Sequence, residues 1–345
     1  MKLGGCFGRE SHDPSCHRES TPPRSRRSDI AQEPESPSIL NSPKLDEKYT
    51  LGHLLGEGNF AQVFMGYQKG TSEPVAIKKF YHRPNDGEMK RAIGQELEFF
   101  KLGLEHEFIV KTYEVVRDDA TSCLVLEIMA GQDLQVRLDL RDRFHEGETR
   151  EILVRIFAAL SFLHSNGVMH RDIKPENILF SSDTDNRAKL ADFGLCHIFP
   201  KDGSRLKTDG MYGTPYYVAP EIARDERYTA KVDMWSCGVM MYQMLGGKLP
   251  FNAMTGNGVI RKVRKGNYNF NDPQWGTVSL VAKDLISKLM EVDPEKRYSA
   301  EQALHHPWIQ DGVEAAQKKA KLPESMRSPH RVVDANFSDN GTLLV

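Results

Sequence analysis

The sequence predicts an α+β protein of two lobes, a small β-rich lobe with one main helix followed by a larger helical lobe. Apolar residues between positions 49 and 128 fall in short runs separated by turns, at 49–55, 61–67, 75–81, 110–116 and 123–128, with one helical stretch at 89–102. After Gly131 the spacing becomes helical, through 152–164, 233–245, 259–265 and 279–290. No internal repeat is visible, and strands come before helices instead of alternating with them, which selects α+β over a parallel α/β sheet. The expected globular part is 49–309, divided at 129/130 into the two lobes, with an arm at 1–48 and a tail at 310–345.

A chain of 345 residues is long enough to bury a full core. Its 39% hydrophobic and 27% charged content is ordinary for a soluble globular protein. A formal net charge of -2 argues against a broad nucleic-acid-binding surface, so no nucleic acid is expected as a partner. No run approaches the roughly 18 apolar residues of a membrane span. The opening MKLGGCFG is too short and polar for a signal peptide, and Lys2 stands where myristoylation needs glycine. The five cysteines form neither a paired framework nor a metal-ligand spacing. They read as reduced thiols, which points to a cytoplasmic location, with the nucleus as the other reducing compartment.

The arm is dense in Ser, Pro and Arg and poor in large apolar residues, so it is expected to stay disordered. Its Ser36-Pro37, Ser42-Pro43 and Thr21-Pro22 pairs are read as ordinary tail composition ahead of phosphorylation sites. The tail carries a basic stretch at 317–321, ended by Pro323. A calmodulin-binding helix needs large apolar anchors, and only Val313 and Leu322 stand nearby, so calmodulin is the weakly supported partner.

Chemistry-bearing residues begin at Gly56-Glu57-Gly58-Asn59-Phe60-Ala61-Gln62-Val63, a glycine loop between two predicted strands. Glycine lets a backbone approach phosphates without a Cβ in the way. A dinucleotide loop would run from strand into helix; this one runs from strand into strand. Lys78 ends Val75-Ala76-Ile77-Lys78, and the 89–102 helix carries Glu96 and Glu98 as candidate ionic partners for it. His170 to Asn177 reads HRDIKPEN, a polar loop mounted between an apolar helix and the strand at 178–180, as catalytic groups usually are. Asp192-Phe193-Gly194 follows the strand at 188–191. Asp183, Asp185 and Asn186 lack the glycine and glutamate of a calcium loop, with Ala188 and Gly194 at those positions, and read as a surface turn.

These elements, in this order, resemble a eukaryotic serine/threonine protein kinase of the calcium/calmodulin-dependent group. The likeness runs from Tyr49 to His306-Pro307-Trp308-Ile309. It implies transfer of the γ-phosphoryl of ATP to protein hydroxyls, with ATP and magnesium as the required small molecules. Asp172 would be the catalytic base and Lys174 the cation near the γ-phosphate. Asn177 and Asp192 would hold the metal. The nucleotide site implied comprises Leu55, the loop from Gly56 to Val63, Ala76, Lys78, Glu96, Glu127, Met129 and Leu179, with Leu126 as gatekeeper.

For substrate, the resemblance implies Asp133 and Glu176 attracting an arginine three residues before the acceptor, and Thr214 on the shelf beside Asp172. The segment closed by Ala219-Pro220-Glu221 would be phosphorylated by an upstream kinase, at Thr208 first and Ser204 next, and paired with Arg171. Asp233 would hold the catalytic loop and Arg297 would pair with Glu221. A pseudokinase scaffold without chemistry is the alternative, disfavoured because all the polar groups that catalysis requires are present.

Overall fold

A computed structural model describes residues 43–58, 60–80, 86–117, 122–199, 206 and 213–311. The smaller lobe is a five-stranded antiparallel sheet in the order β1-β2-β3-β5-β4. Its strands are β1 (Tyr49–Glu57), β2 (Ala61–Gln68), β3 (Pro74–Phe80), β4 (Thr112–Arg117) and β5 (Ser122–Leu126). Helix α2 (Gly87–Lys101) is capped by the Asp86 carboxylate, which accepts from Met89 N at 2.9 Å. Met89, Ala92, Glu96, Leu97 and Phe99 recur on its buried side.

One element was not anticipated. The expected arm ends earlier than residue 48, because α1 (Pro43–Lys48) precedes β1 and buries Leu45 completely. Leu45 joins Tyr49, Val75, Ile77, Val116, Cys123 and Val125 in a cluster on one face of the sheet. Lys48 Nζ donates to Glu114 at 2.6 Å, and the Tyr49 hydroxyl donates to the same carboxylate at 2.6 Å. A single leucine among charged residues leaves no periodic signature, and its burial depends on the sheet it covers.

The larger lobe comprises α3 (Leu134–Asp139), α4 (Glu146–Ser165), the two-residue β6 (Val168–Met169), β7 (Ile178–Phe180), β8 (Ala188–Leu190) and β9 (His197–Ile198). It continues with α5 (Pro220–Ala223), α6 (Lys231–Gly246), α7 (Gly256–Lys265), α8 (Leu280–Leu289) and α9 (Ala300–Leu304). Helix α6 is buried nearly all round, as its mostly apolar sequence requires. It stops at Gly247, which sits at φ +70° where a Cβ would meet the Asp142 carbonyl. Trp235, Trp275 and Trp308 are each almost completely buried in this core. Arg297 donates to both oxygens of Glu221, at 2.6 and 2.8 Å, with neither side chain more than 2% exposed. No helix among the described residues is long and apolar enough to cross a membrane.

Candidate active site

Asp233, at the start of α6, organises the loop that follows β6. Its Oδ2 accepts from His170 N at 2.9 Å and its Oδ1 from Arg171 N at 2.8 Å, while His164 Nε2 lies 2.8 Å from Oδ2. Burial alone would raise this carboxyl; the His164 contact and the backbone donors outweigh it and hold it below the usual range. Arg171 is thereby fixed at φ +66°, a conformation few non-glycine residues adopt. The fully buried His170 ring reaches the Ala191 carbonyl at 3.0 Å and meets the Phe193 ring edge-on at 5.0 Å.

Beyond Arg171 the chain brings its polar groups into direct contact. Lys174 Nζ lies 2.7 Å from Asp172 Oδ2. The Asn177 amide donates to the Asp172 carbonyl at 2.7 Å and to its Oδ2 at 3.1 Å. Such donation turns the amide nitrogen toward the aspartate and leaves the amide oxygen for another partner. Pro175–Asn177 is a single 3-10 turn that delivers the chain into β7.

Lys78 is the second centre. Its ammonium lies 2.9 and 2.8 Å from the Glu96 oxygens and 2.9 Å from Asp192 Oδ1. Glu96 is 7% exposed at its side chain, whereas Glu98 points outward, so the geometry selects Glu96 between the two candidates. Burial pushes Glu96 up to about 7, against the pull of Lys78 and with added repulsion from Asp192. Partial desolvation would also raise Asp192, but Lys78 and the Gly194 N–H hold it at about 2. Lys78 itself is raised, since the two carboxylates more than offset its burial. Asp192 sits at φ +63° with its side chain 48% exposed, open on the side away from Lys78.

The register of the small sheet explains these contacts. Lys78 pairs with Val63 on one side and Leu124 on the other, so the lysine hangs below the centre of the sheet. The glycine loop is the turn of the β1–β2 hairpin, with Gly56 opposite Val63, Glu57 opposite Gln62, and Gly58 N bonded to Ala61 O at 2.9 Å. This is the expected strand-to-strand passage. Phe60 is half-buried; Asn59 lies outside the described residues. Ala76 is buried opposite Leu126, Leu55 is 44% exposed at the end of β1, and Leu179 and Met129 are half-buried.

Glu127 follows β5 and is gripped by Lys189, whose Nζ lies 2.6 and 2.8 Å from its oxygens. Lys189 was missed by the sequence reading, because a lysine in a short strand carries no signal of its partner. Asp133 caps α3, accepting from Val136 N at 2.8 Å, while Glu176 stays exposed. Thr214 is half-buried and lines one cavity with Arg171, Asp172 and Tyr217. Gly213 beside it has φ +87°, where a Cβ would come within 2.9 Å of the Arg171 carbonyl. Ser204, Thr208 and the basic stretch 317–321 lie outside the described residues.

Residues 49–309 match the family description "Protein kinase domain". A probable myosin light chain kinase of Dictyostelium discoideum is 38% identical over 269 residues, covering 77% of this chain and 67% of that protein. Calcium-dependent protein kinase 11 of Arabidopsis thaliana is 37% identical over 279 residues, covering 80% and 56%. A serine/threonine-protein kinase H1 homolog of Danio rerio is 34% identical over 297 residues, covering 86% and 67%. The chain thus spans from 56% to 67% of the length of these three relatives.

Proposed function

The chain belongs to the protein kinase family, and from that premise we propose that it transfers the γ-phosphoryl group of ATP to serine or threonine hydroxyls of proteins. The observation that carries this reading is the single ammonium of Lys78 bound at once to Glu96 and Asp192. Phosphoryl transfer requires positioning and neutralisation of charge more than covalent participation by the protein. Asp172 accepts the proton of the acceptor hydroxyl, and Lys174, already at its carboxylate, offsets charge on the transferred group. Glu127 and Met129 offer backbone groups to adenine, under Leu55 and the glycine loop and above Leu179.

The donor chemistry fits magnesium. Magnesium suits a site of one or two protein oxygens completed by phosphate and water. The half-exposed Asp192 carboxylate and the Asn177 amide oxygen are such donors. When bound, the ion neutralises phosphate charge.

Asp133 and Glu176 attract an arginine three residues before the acceptor, and Thr214 supports the residue after it. Phosphate on Thr208 or Ser204, added by an upstream kinase, orders the segment through Arg171. The buried free thiols Cys196 and Cys237 support a cytoplasmic setting. Names such as calcium-dependent protein kinase among the relatives make calcium the first regulatory input to test, with calmodulin the weaker partner.

The test is phosphate transfer from Mg-ATP to an arginine-directed serine peptide by the full chain and by Asp172→Asn, with and without calcium and calmodulin. Transfer that drops at least a thousandfold in the variant is the expected result. Equal rates in the two proteins would refute the assignment, and indifference to the position of arginine in a peptide series would refute the substrate preference.

A further inference from the structure

Tyr228 is 2% exposed, in the stretch that leads into α6, and its ring packs in the core of the larger lobe. Its polar groups lead elsewhere. The hydroxyl accepts a hydrogen bond from Arg171 Nη1 at 3.0 Å, on the residue immediately before Asp172. The backbone N–H and carbonyl both bond to Leu206, each at 3.0 Å, forming an antiparallel bridge. Leu206 stands in the stretch between Asp192-Phe193-Gly194 and Ala219-Pro220-Glu221. At the near end of that stretch, Arg171 Nε donates to the Leu195 carbonyl at 2.7 Å.

One residue therefore touches the middle of this stretch with its backbone and the catalytic loop with its side chain. The loop it touches needs outside restraint. Arg171 has φ +66°, and a non-glycine residue stays there only where its surroundings over-determine it. Asp233 restrains the Arg171 backbone. The Tyr228 hydroxyl and Leu195 restrain its guanidinium, and a hydrogen bond to a charged donor is stronger than a neutral one. The partner sets this hydroxyl apart: Tyr217 and Tyr242 of the same core donate theirs to Gln243 and to the Asn269 carbonyl, whereas that of Tyr228 meets the charged guanidinium next to Asp172.

Resting on the phosphotransfer reading above, we propose that Tyr228 is a positioning residue for the transfer step, registering Leu206 against Arg171 and so holding Asp172 in its reactive orientation.

The test uses the full chain with Tyr228→Phe, which keeps the ring, Arg171→Lys, and the double variant. Steady-state kinetics with Mg-ATP and peptide are measured together with hydrogen exchange at the Arg171 and Asp172 amides. Tyr228→Phe is expected to lower kcat about tenfold with KM for ATP within about twofold of wild type. In the Arg171→Lys background the same change should cost less than about twofold, because coupled residues are not additive. Exchange at the two amides should rise.

A wild-type kcat in Tyr228→Phe, an equal loss in both backgrounds, or unchanged exchange at Arg171 and Asp172 would each overturn the proposal. Failure of the wild-type chain to transfer phosphate would instead overturn the function itself, while the exchange result would still decide whether Tyr228 restrains the loop.

Discussion

The ring of Phe99 lies flat on that of Phe193, with centroids 3.8 Å apart and planes 3° from parallel. Phe99 belongs to α2, which carries Glu96; Phe193 follows Asp192. The stack therefore joins the two carboxylates that share Lys78 through a route independent of charge. Phe99→Ala should destabilise the chain by about 3–4 kcal/mol, read by chemical denaturation. Because it also frees α2 to shift, kcat/KM for ATP should fall further than the loss of folded protein accounts for. A variant whose activity tracks its folded fraction would show that the stack serves stability alone.

Glu96 gives a pH dependence with a defined sign. Its carboxyl is raised from the ordinary 4.5 to about 7, so between those values the folded chain holds a proton that the unfolded chain has released. Stability must then fall as pH rises through this window. Asp192 works in the opposite direction at lower pH. Held at about 2 against an ordinary 3.8, it contributes stability above 3.8 that disappears as pH falls toward 2. Unfolding free energies of wild type and Glu96→Gln, measured without nucleotide between pH 4.5 and 7.5, should diverge in the first window. Parallel curves would contradict it.

Arg297 and Glu221 form a fully buried pair across the larger lobe. Removing one partner strands a charge, so Arg297→Met should cost about 3–5 kcal/mol. The double variant Arg297→Met with Glu221→Leu should regain much of that loss. Thermal unfolding of the three proteins gives the comparison, and a double variant weaker than Arg297→Met would mean that the Arg297 bonds to the Glu291 and Lys231 carbonyls dominate.

Lys189 and Glu127 make a partly exposed pair, with side chains 20% and 24% accessible, so solvent screens part of their attraction. Lys189→Met should therefore cost less than the Arg297 change, about 1–2 kcal/mol. Glu127→Gln beside it should restore most of this, as a melting series would reveal.

Most of the site was legible because its groups lie close together in the chain or follow an ordered series of short motifs. Asp172, Lys174 and Asn177 fall within six positions and meet in space. The strands 49–55 and 61–67 were legible for another reason, since their period and the glycines between them are local properties. Glu96 was preferred over Glu98 as the partner of Lys78, and the structure agrees, since Glu96 falls with Met89 and Ala92 on the buried side of α2 while Glu98 is exposed. Lys189 and Tyr228 were illegible because their partners are 62 and 57 residues away, with no pattern linking them. Leu45 was misread for a related reason, as composition averages away one apolar side chain whose burial is decided by the sheet.

The seating of Leu45 extends the packed part of the smaller lobe to the N-terminal side of Tyr49. A chain shortened to begin at Tyr49 would keep every strand and every group around Lys78 and Asp172, yet it would uncover the apolar cluster formed by Tyr49, Val75, Ile77, Val116, Cys123 and Val125. It would also remove Lys48 from Glu114, leaving that carboxylate to the Tyr49 hydroxyl. A bare apolar sheet face favours self-association, so a chain begun at Tyr49 is expected to aggregate more readily than one that keeps the six residues of α1.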